Sequence, residues 1–229
     1  MHRYKNILII GTSHIALESI QQVEQRINEE QPNVVALELD SARFQALLSK
    51  EKRKTTLKDI KKVGIKGWLF ALIGELVERK LGDRVGVSPG SEMIKAAEIA
   101  RNHNCSIALI DQKIDVTLKR FSQSFTWKEK FRFLTDLITA PFSKKKIRIN
   151  LTKVPEEKII EEMIQHVKKR YPSIYTVLIE ERNKYMAKQL FKLMPVFPKI
   201  LAVVGAGHGK EIIEEIKKLE SRSSRQPNS

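Results

Sequence analysis

Two short apolar runs, one near each end of the chain, break off into the same four-residue pattern. Ile7-Leu8-Ile9-Ile10 leads into Gly11-Thr12-Ser13-His14, and Ile200-Leu201-Ala202-Val203-Val204 leads into Gly205-Ala206-Gly207-His208. Each run has the length of a strand, and its unbroken apolarity suits a strand covered on both faces, as in a parallel sheet. Such a sheet brings the carboxyl ends of its strands to one crevice, however far apart they are in sequence. The last strand can therefore pair beside the first, and both Gly-x-x-His patterns then meet at one edge. Glycine three residues before each His lets the backbone turn sharply and lets a ligand approach it.

The intervening chain fills in the fold. Residues 5–10 form the first strand. From Ile15 to Glu30, Leu17, Ile20, Val23 and Ile27 keep the spacing of one apolar helix face. Pro32 stops that helix and Asn33 introduces a second strand, 34–39, so the front of the chain is a βαβ unit with a right-handed crossover. Asp40-Ser41 caps the next helix, which carries Arg43, Phe44, Leu47 and Leu48. Trp68 to Leu81 reads as another apolar-rich helix, and Ser91 opens one more after the break at Ser88-Pro89-Gly90. Ser106 to Ile110 is a third buried strand, ending at Asp111. Residues 112–198 are mostly helical, with breaks near Pro141, Pro155, Pro172 and Pro195. The fourth strand, 200–204, is followed by a helix from Glu211 to Leu219. The expected fold is α/β: a mainly parallel central sheet flanked by helices, with a large helical insertion before the last strand. Residues 1–220 form one domain, and the polar tail 221–229 is disordered.

Composition narrows the class. The chain has 229 residues, 41% of them hydrophobic, enough for a real core. Cys105 is its single cysteine, which excludes an internal disulfide and argues against an oxidised secreted scaffold. The N-terminal apolar run is too brief for a signal peptide, and the uncharged run 67–74 (GWLFALIG) falls far short of the ~20 residues of a membrane span. A cytoplasmic location is the default. The formal net charge of +15 is concentrated. Lys50 to Lys66 holds eight basic and two acidic residues, and Lys119 to Lys153 holds ten and two. These windows are either solvated helix surface or attractors for phosphate, nucleic acid or anionic lipid.

Imidazole and carboxylate at one sheet edge make the ligand set of a catalytic transition metal. His14, Glu38 and His208 are the candidates, each at or near a strand end. Glu38 within Val35-Ala36-Leu37-Glu38-Leu39 would be buried, so it must be metal-bound or paired, to Arg43 or to a distant arginine. Each His taken alone is more often a helix cap than a ligand. Asp40 could serve only as a helix cap, and Asp111 is a candidate by position. His2, His103 and His166 read as surface residues and Cys105 as a small buried hydrophobe. Gly205-Ala206-Gly207-His208-Gly209 lacks the third glycine of a dinucleotide fingerprint, because Lys210 stands there. It fails as a phosphate loop as well, because Glu211 follows Gly209-Lys210.

These motifs together resemble the TraB/PrgY pheromone-shutdown family, which is related to the Tiki metalloproteases, the GumN and ChaN proteins and the erythromycin-esterase-like enzymes. The resemblance is carried by Gly11-Thr12-Ser13-His14, by Glu38-Leu39-Asp40 with Arg43, and by Gly205-Ala206-Gly207-His208. It extends through Ser88-Pro89-Gly90-Ser91-Glu92-Met93 and Glu180-Glu181-Arg182-Asn183-Lys184-Tyr185-Met186-Ala187, and covers residues 5–216. It implies a metal site of His14, Glu38 and His208, with Arg43 and Arg182 holding the carboxylates. The metal would be Mn, Co or Zn, and the activity metal-dependent hydrolysis, of a peptide signal for instance. In one respect the chain departs from the family pattern: Gln112 follows Asp111 where the family usually has Arg. Many relatives continue into a C-terminal membrane region. The alternatives are a non-catalytic binder of a peptide or phosphate-bearing ligand in the same crevice, and a module that docks its basic windows on an anionic membrane surface. Nucleic acid is the less favoured partner, and homo-oligomerisation stays open.

Overall fold

A computed structural model describes residues 1–12, 17–49, 90–139 and 157–224. His14, the first basic window (Lys50–Lys66), the helix expected over 68–81 and the later part of the second basic window lie outside the described residues.

Five strands form one sheet: β1 (His2–Tyr4), β2 (Ile7–Thr12), β3 (Val34–Leu37), β4 (Ser106–Leu109) and β5 (Ile200–Gly205), in the order β1-β2-β5-β3-β4. β1 pairs antiparallel with β2, and all other pairings are parallel. The four parallel strands are those the apolar runs indicate. β1 is an addition: its sequence, His-Arg-Tyr, has no apolar run and reads as a polar N-terminus. Main-chain pairing of His2 with Ile9 and Tyr4 with Ile7 holds it to the sheet edge.

The expected βαβ unit is split. β2 and β3, joined by α1 (Leu17–Glu30), are not neighbours, because β5 lies between them and pairs with both. Ile200 stands opposite Ile7 on one side and Val34 on the other. The consequence for function is direct. The loop after β5 is flanked by the ends of β2 and β3, so the second Gly-x-x-His emerges between Gly11-Thr12 and the end of β3 that leads into Glu38.

Alternation along the strands sends side chains to two cores. Ile7, Ile9, Val34, Ala36, Ala202 and Val204 face one side. They pack against α8 (Glu181–Leu193) and α9 (Gly209–Ser223), through residues such as Leu190 and Ile216. Leu8, Ile10, Val35, Leu37, Leu201 and Val203 face the other side. There they meet α1 and α3 (Ser91–Asn102), which follows α2 (Ser41–Leu48) in the described chain. Both faces are covered, which explains the continuous apolar runs Ile7–Ile10, Val34–Leu37 and Ile200–Val204.

Between β4 and β5 the described chain is helical: α4 (Ile114–Ser124), α5 (Trp127–Thr139), α6 (Glu157–Arg170) and α7 (Pro172–Tyr175). A π-helical segment, Thr176–Glu180, then runs directly into α8. Pro172 sits in the first turn of α7, where its missing N–H costs nothing. The last helix runs to Ser223, past the Leu219 expected from periodicity, and 225–229 lie outside the described residues. No helix among the described residues is long and apolar enough to cross a membrane.

Candidate active site at the carboxyl edge of the sheet

The two glycine motifs touch through their backbones. A Cβ on Gly11 would lie 2.9 Å from the Cα of Ala206, closer than side chains tolerate. The Ala206 amide also donates to the Thr12 carbonyl at 2.9 Å. Gly11 is thus required by the approach of one motif to the other, not by a turn. Gly209 serves similarly, because a Cβ there would lie 2.7 Å from the His2 ring. His2 is accordingly half-buried against the last helix and not the surface residue its neighbours suggest.

Glu38 follows β3, and its amide donates to the Val203 carbonyl at 3.1 Å. Its carboxylate is 3% exposed. Oε2 accepts the Gly205 amide N–H at 2.5 Å, and Oε1 accepts from Arg182. The paired alternative raised for Glu38 is therefore realised, with the distant arginine as partner. Arg43 goes elsewhere: its Nη1 donates to Asp111 at 3.2 Å. Arg182 joins the two carboxylates. Its Nε and Nη2 grip Asp111 at 3.1 and 2.7 Å, while Nη2 also reaches Glu38 and Nη1 donates to the Leu178 carbonyl. Burial draws the guanidinium pKa down, but Glu38 and Asp111 outweigh it and leave Arg182 above its ordinary value. Arg182 therefore keeps its charge at any working pH. Asp40 is the N-cap of α2, accepting from the amides of Ala42 and Arg43. The Gln112 main-chain amide donates to Asp111 Oδ1 at 2.8 Å, while its side chain turns away and donates to Thr117 Oγ1 at 2.8 Å.

His208 occupies the N-cap position of α9, and its ring turns back toward the sheet. Nε2 lies 3.6 Å from Glu38 Oε1, and Nδ1 lies 2.5 Å from Asn183 Oδ1. Arg43, Asp111, Arg182, Glu38 and His208 thus form one chain of alternating charge capacity along the sheet edge. Its two carboxylates are buried, Arg182 and His208 are partly buried, and the Arg43 side chain is 39% exposed. His103 and His166 are exposed, as expected.

Sequence reasoning missed Asn183, Glu211 and Tyr175. Asn183 Nδ2 donates to Glu211 Oε2 at 2.7 Å, and the Tyr175 hydroxyl donates to Glu211 Oε1 at 3.0 Å. The available signals were weak: Asn183 interrupts a helix face otherwise turned to the core, and Glu211 follows His208 by three residues. Among the described residues, no group of three His, Cys, Asp or Glu side chains is placed to hold a metal. The donors present nevertheless suit one. His208 Nε2 and Glu38 Oε1 are separated by close to the span of two ligands each about 2.0–2.2 Å from one tetrahedral ion.

Comparison with known proteins supplies the family. The TraB/PrgY/gumN family model matches residues 2–222. A Methanocaldococcus jannaschii protein named Uncharacterized protein MJ1365 is 38% identical over 222 residues, covering 94% of this chain and 54% of that protein. TraB domain-containing proteins of Bos taurus and Homo sapiens are each 24% identical across 80% of this chain and 51% of their own length. The chain therefore spans about half the length of these relatives. With a family match that takes in the first strand, both glycine motifs and the last helix, the chain belongs to the TraB/PrgY/gumN family.

Proposed function

We propose that the crevice at the carboxyl edge of the sheet hydrolyses an amide bond, with a peptide as substrate. The observation that carries this reading is the approach of His208 Nε2 to Glu38 Oε1, a buried carboxylate held by the arginine that also grips Asp111. A divalent Mn, Co or Zn ion, held by His208 and the His14 of the first motif, with Glu38 either a third ligand or the base, would lower the pKa of a water and polarise the scissile carbonyl. As the base, Glu38 takes the proton from the attacking water as the new C–O bond forms. It returns that proton to the amine nitrogen as the C–N bond breaks. Base catalysis of this kind contributes typically 10²–10⁴-fold. Arg182 fixes the Glu38 carboxylate in direction, and Asp111 fixes Arg182. Arg43, the most solvent-reaching member, lies where a substrate carboxylate would first meet the network.

The test is cleavage of a mixed peptide pool by the chain supplied separately with Mn, Co and Zn. Metal-dependent cleavage by wild type, reduced about 10²-fold or more in Glu38→Gln and absent in His208→Ala, is expected. Equal metal content in wild type and His208→Ala would end the proposal.

One observation favours a second reading. Both Glu38 oxygens already accept hydrogen bonds, and a carboxylate committed in that way suits a binding wall better than a base. On this reading the crevice sequesters a peptide or phosphate-bearing ligand, and the expected result is tight binding with no turnover under any of the three metals.

The basic surface supports a separate proposal about location, a cytoplasmic protein that touches anionic membrane. Within the described part of the second basic window, Trp127 and Phe131 are exposed on the same helix as Lys128 and Arg132. Flotation with phosphatidylserine vesicles, weakening as salt rises, is the expected outcome; flotation insensitive to lipid charge would refute it.

A further inference from the structure

We infer that Asn183 and Glu211 are positioning residues that select the tautomer of His208, placing its proton on Nδ1 and its lone pair on Nε2, toward Glu38. This inference rests on the crevice being the working site. It starts from a group that neither the resemblance nor the metal reading uses, the Glu211 carboxylate. Both of its oxygens receive donors: the Tyr175 hydroxyl at 3.0 Å and Asn183 Nδ2 at 2.7 Å. Burial, and then the bond to Glu211, raise the Tyr175 phenol to about 12, so it stays a donor.

The orientation of Asn183 follows by elimination. Its amide has one accepting and one donating end, and an ionised carboxylate only accepts. Turning the amide over would set its oxygen against Glu211, acceptor to acceptor, in a side chain that is 1% exposed. The amide nitrogen must therefore face Glu211 and the oxygen must face His208. That oxygen is 2.5 Å from Nδ1 and can only accept, so Nδ1 carries the hydrogen. In the neutral imidazole the other nitrogen, Nε2, then holds the lone pair, which faces the Glu38 carboxylate acceptor to acceptor and so suits a cation between them. Nε2 is the nitrogen 3.6 Å from Glu38. Ligand histidines are commonly held by such an outer partner, and its loss typically costs 10–100-fold in metal affinity.

Local backbone geometry serves the same arrangement. Tyr175 and Asn183 flank the π-helical segment Thr176–Glu180. Eight residues of uninterrupted α-helix would leave their side chains roughly 80° apart around the axis. The wider π turn advances less per residue and removes much of that offset, so both side chains reach one carboxylate. Single-turn π segments occur often at functional sites, and here the insertion has a geometric effect.

Long-range ¹⁵N–¹H correlation of the His208 ring tests the inference in the full metal-free chain, at a pH above the imidazole range. Wild type is expected to show the Nδ1–H tautomer. Glu211→Ala frees the Asn183 amide to turn over and should move the ring toward Nε2–H. Glu211→Gln, whose amide oxygen can still accept from Asn183, should keep the wild-type pattern. Metal affinity should fall about 10–100-fold in Asn183→Ala. An Nε2–H tautomer in wild type overturns the inference, and needs no variant to fold. So does a ring unchanged by Glu211→Ala. A wild type with the Nδ1–H tautomer that binds no metal would instead leave the positioning intact and remove the metal-dependent reading.

Discussion

Two arginine–carboxylate clusters in this molecule share chemistry and differ in setting. At the sheet edge, Arg182 binds Glu38 and Asp111, whose side chains are 3% and 2% exposed. In the helical region, Arg170 at the end of α6 grips Asp136 of α5 through Nε and Nη2, and the Tyr171 hydroxyl joins them. There both charged partners are about a third exposed. Solvent makes the second cluster a clip between helices, with water competing for every bond. Its absence makes the first a commitment, because buried carboxylates have no water to fall back on when a protein partner is lost. The lesson is that ion-pair geometry alone does not set the first cluster apart from a brace; its burial at the carboxyl edge of the sheet does.

The largest effect should come from breaking the buried cluster. Arg182→Met leaves Glu38 and Asp111 charged beneath the helical layer, and loss of one partner of such a pair costs roughly 3–5 kcal/mol. Urea denaturation should show a loss of unfolding free energy of that size, and a loss below about 1 kcal/mol, the range of surface pairs, would place Arg182 in the class of Arg170. Gly11→Ala comes next. The added methyl would meet the Ala206 backbone at 2.9 Å, and overpacking of this kind costs about 1–3 kcal/mol. Thermal melting measures it, and an unchanged melting temperature would mean that the two motifs are not pressed together.

How much of this was legible in sequence depends on whether the relevant force is local. The four parallel strands were legible because burial on both faces forces continuous apolar runs, and Ile7–Ile10 and Ile200–Val204 are such runs. Glu38 was legible as a buried acid because only apolar residues surround it. β1 was not, because main-chain pairing recruits His2–Tyr4 with no help from side-chain pattern. Nor was the insertion of β5 between β2 and β3, which depends on which strands pair and leaves the local pattern unchanged. The partners of His208 were hidden for a similar reason. Asn183 and Tyr175 meet Glu211 across an interhelical contact, and nothing within their own helix marks them.

The exposed clip should show the smallest effect, and mainly in acid. Hydrogen bonds from Arg170 and Tyr171 hold the Asp136 carboxyl down to about 2. Its folded-state pKa is thus below the unfolded value of about 3.9. The stability it contributes is fully present above the unfolded pKa and disappears as pH falls through the folded one. Asp136→Asn should therefore match wild type only in strong acid, near pH 2, and be slightly less stable at neutral pH. A difference that persists undiminished at pH 2 would show that the clip acts by something other than charge.

The metal stoichiometry of purified protein dialysed against Mn, Co or Zn tests the central claim most directly, when wild type, His208→Ala and Asp136→Asn are measured together. The account predicts one ion per chain in wild type and Asp136→Asn, and none in His208→Ala. Equal occupancy in all three proteins, or none in wild type under any of the metals, would contradict it.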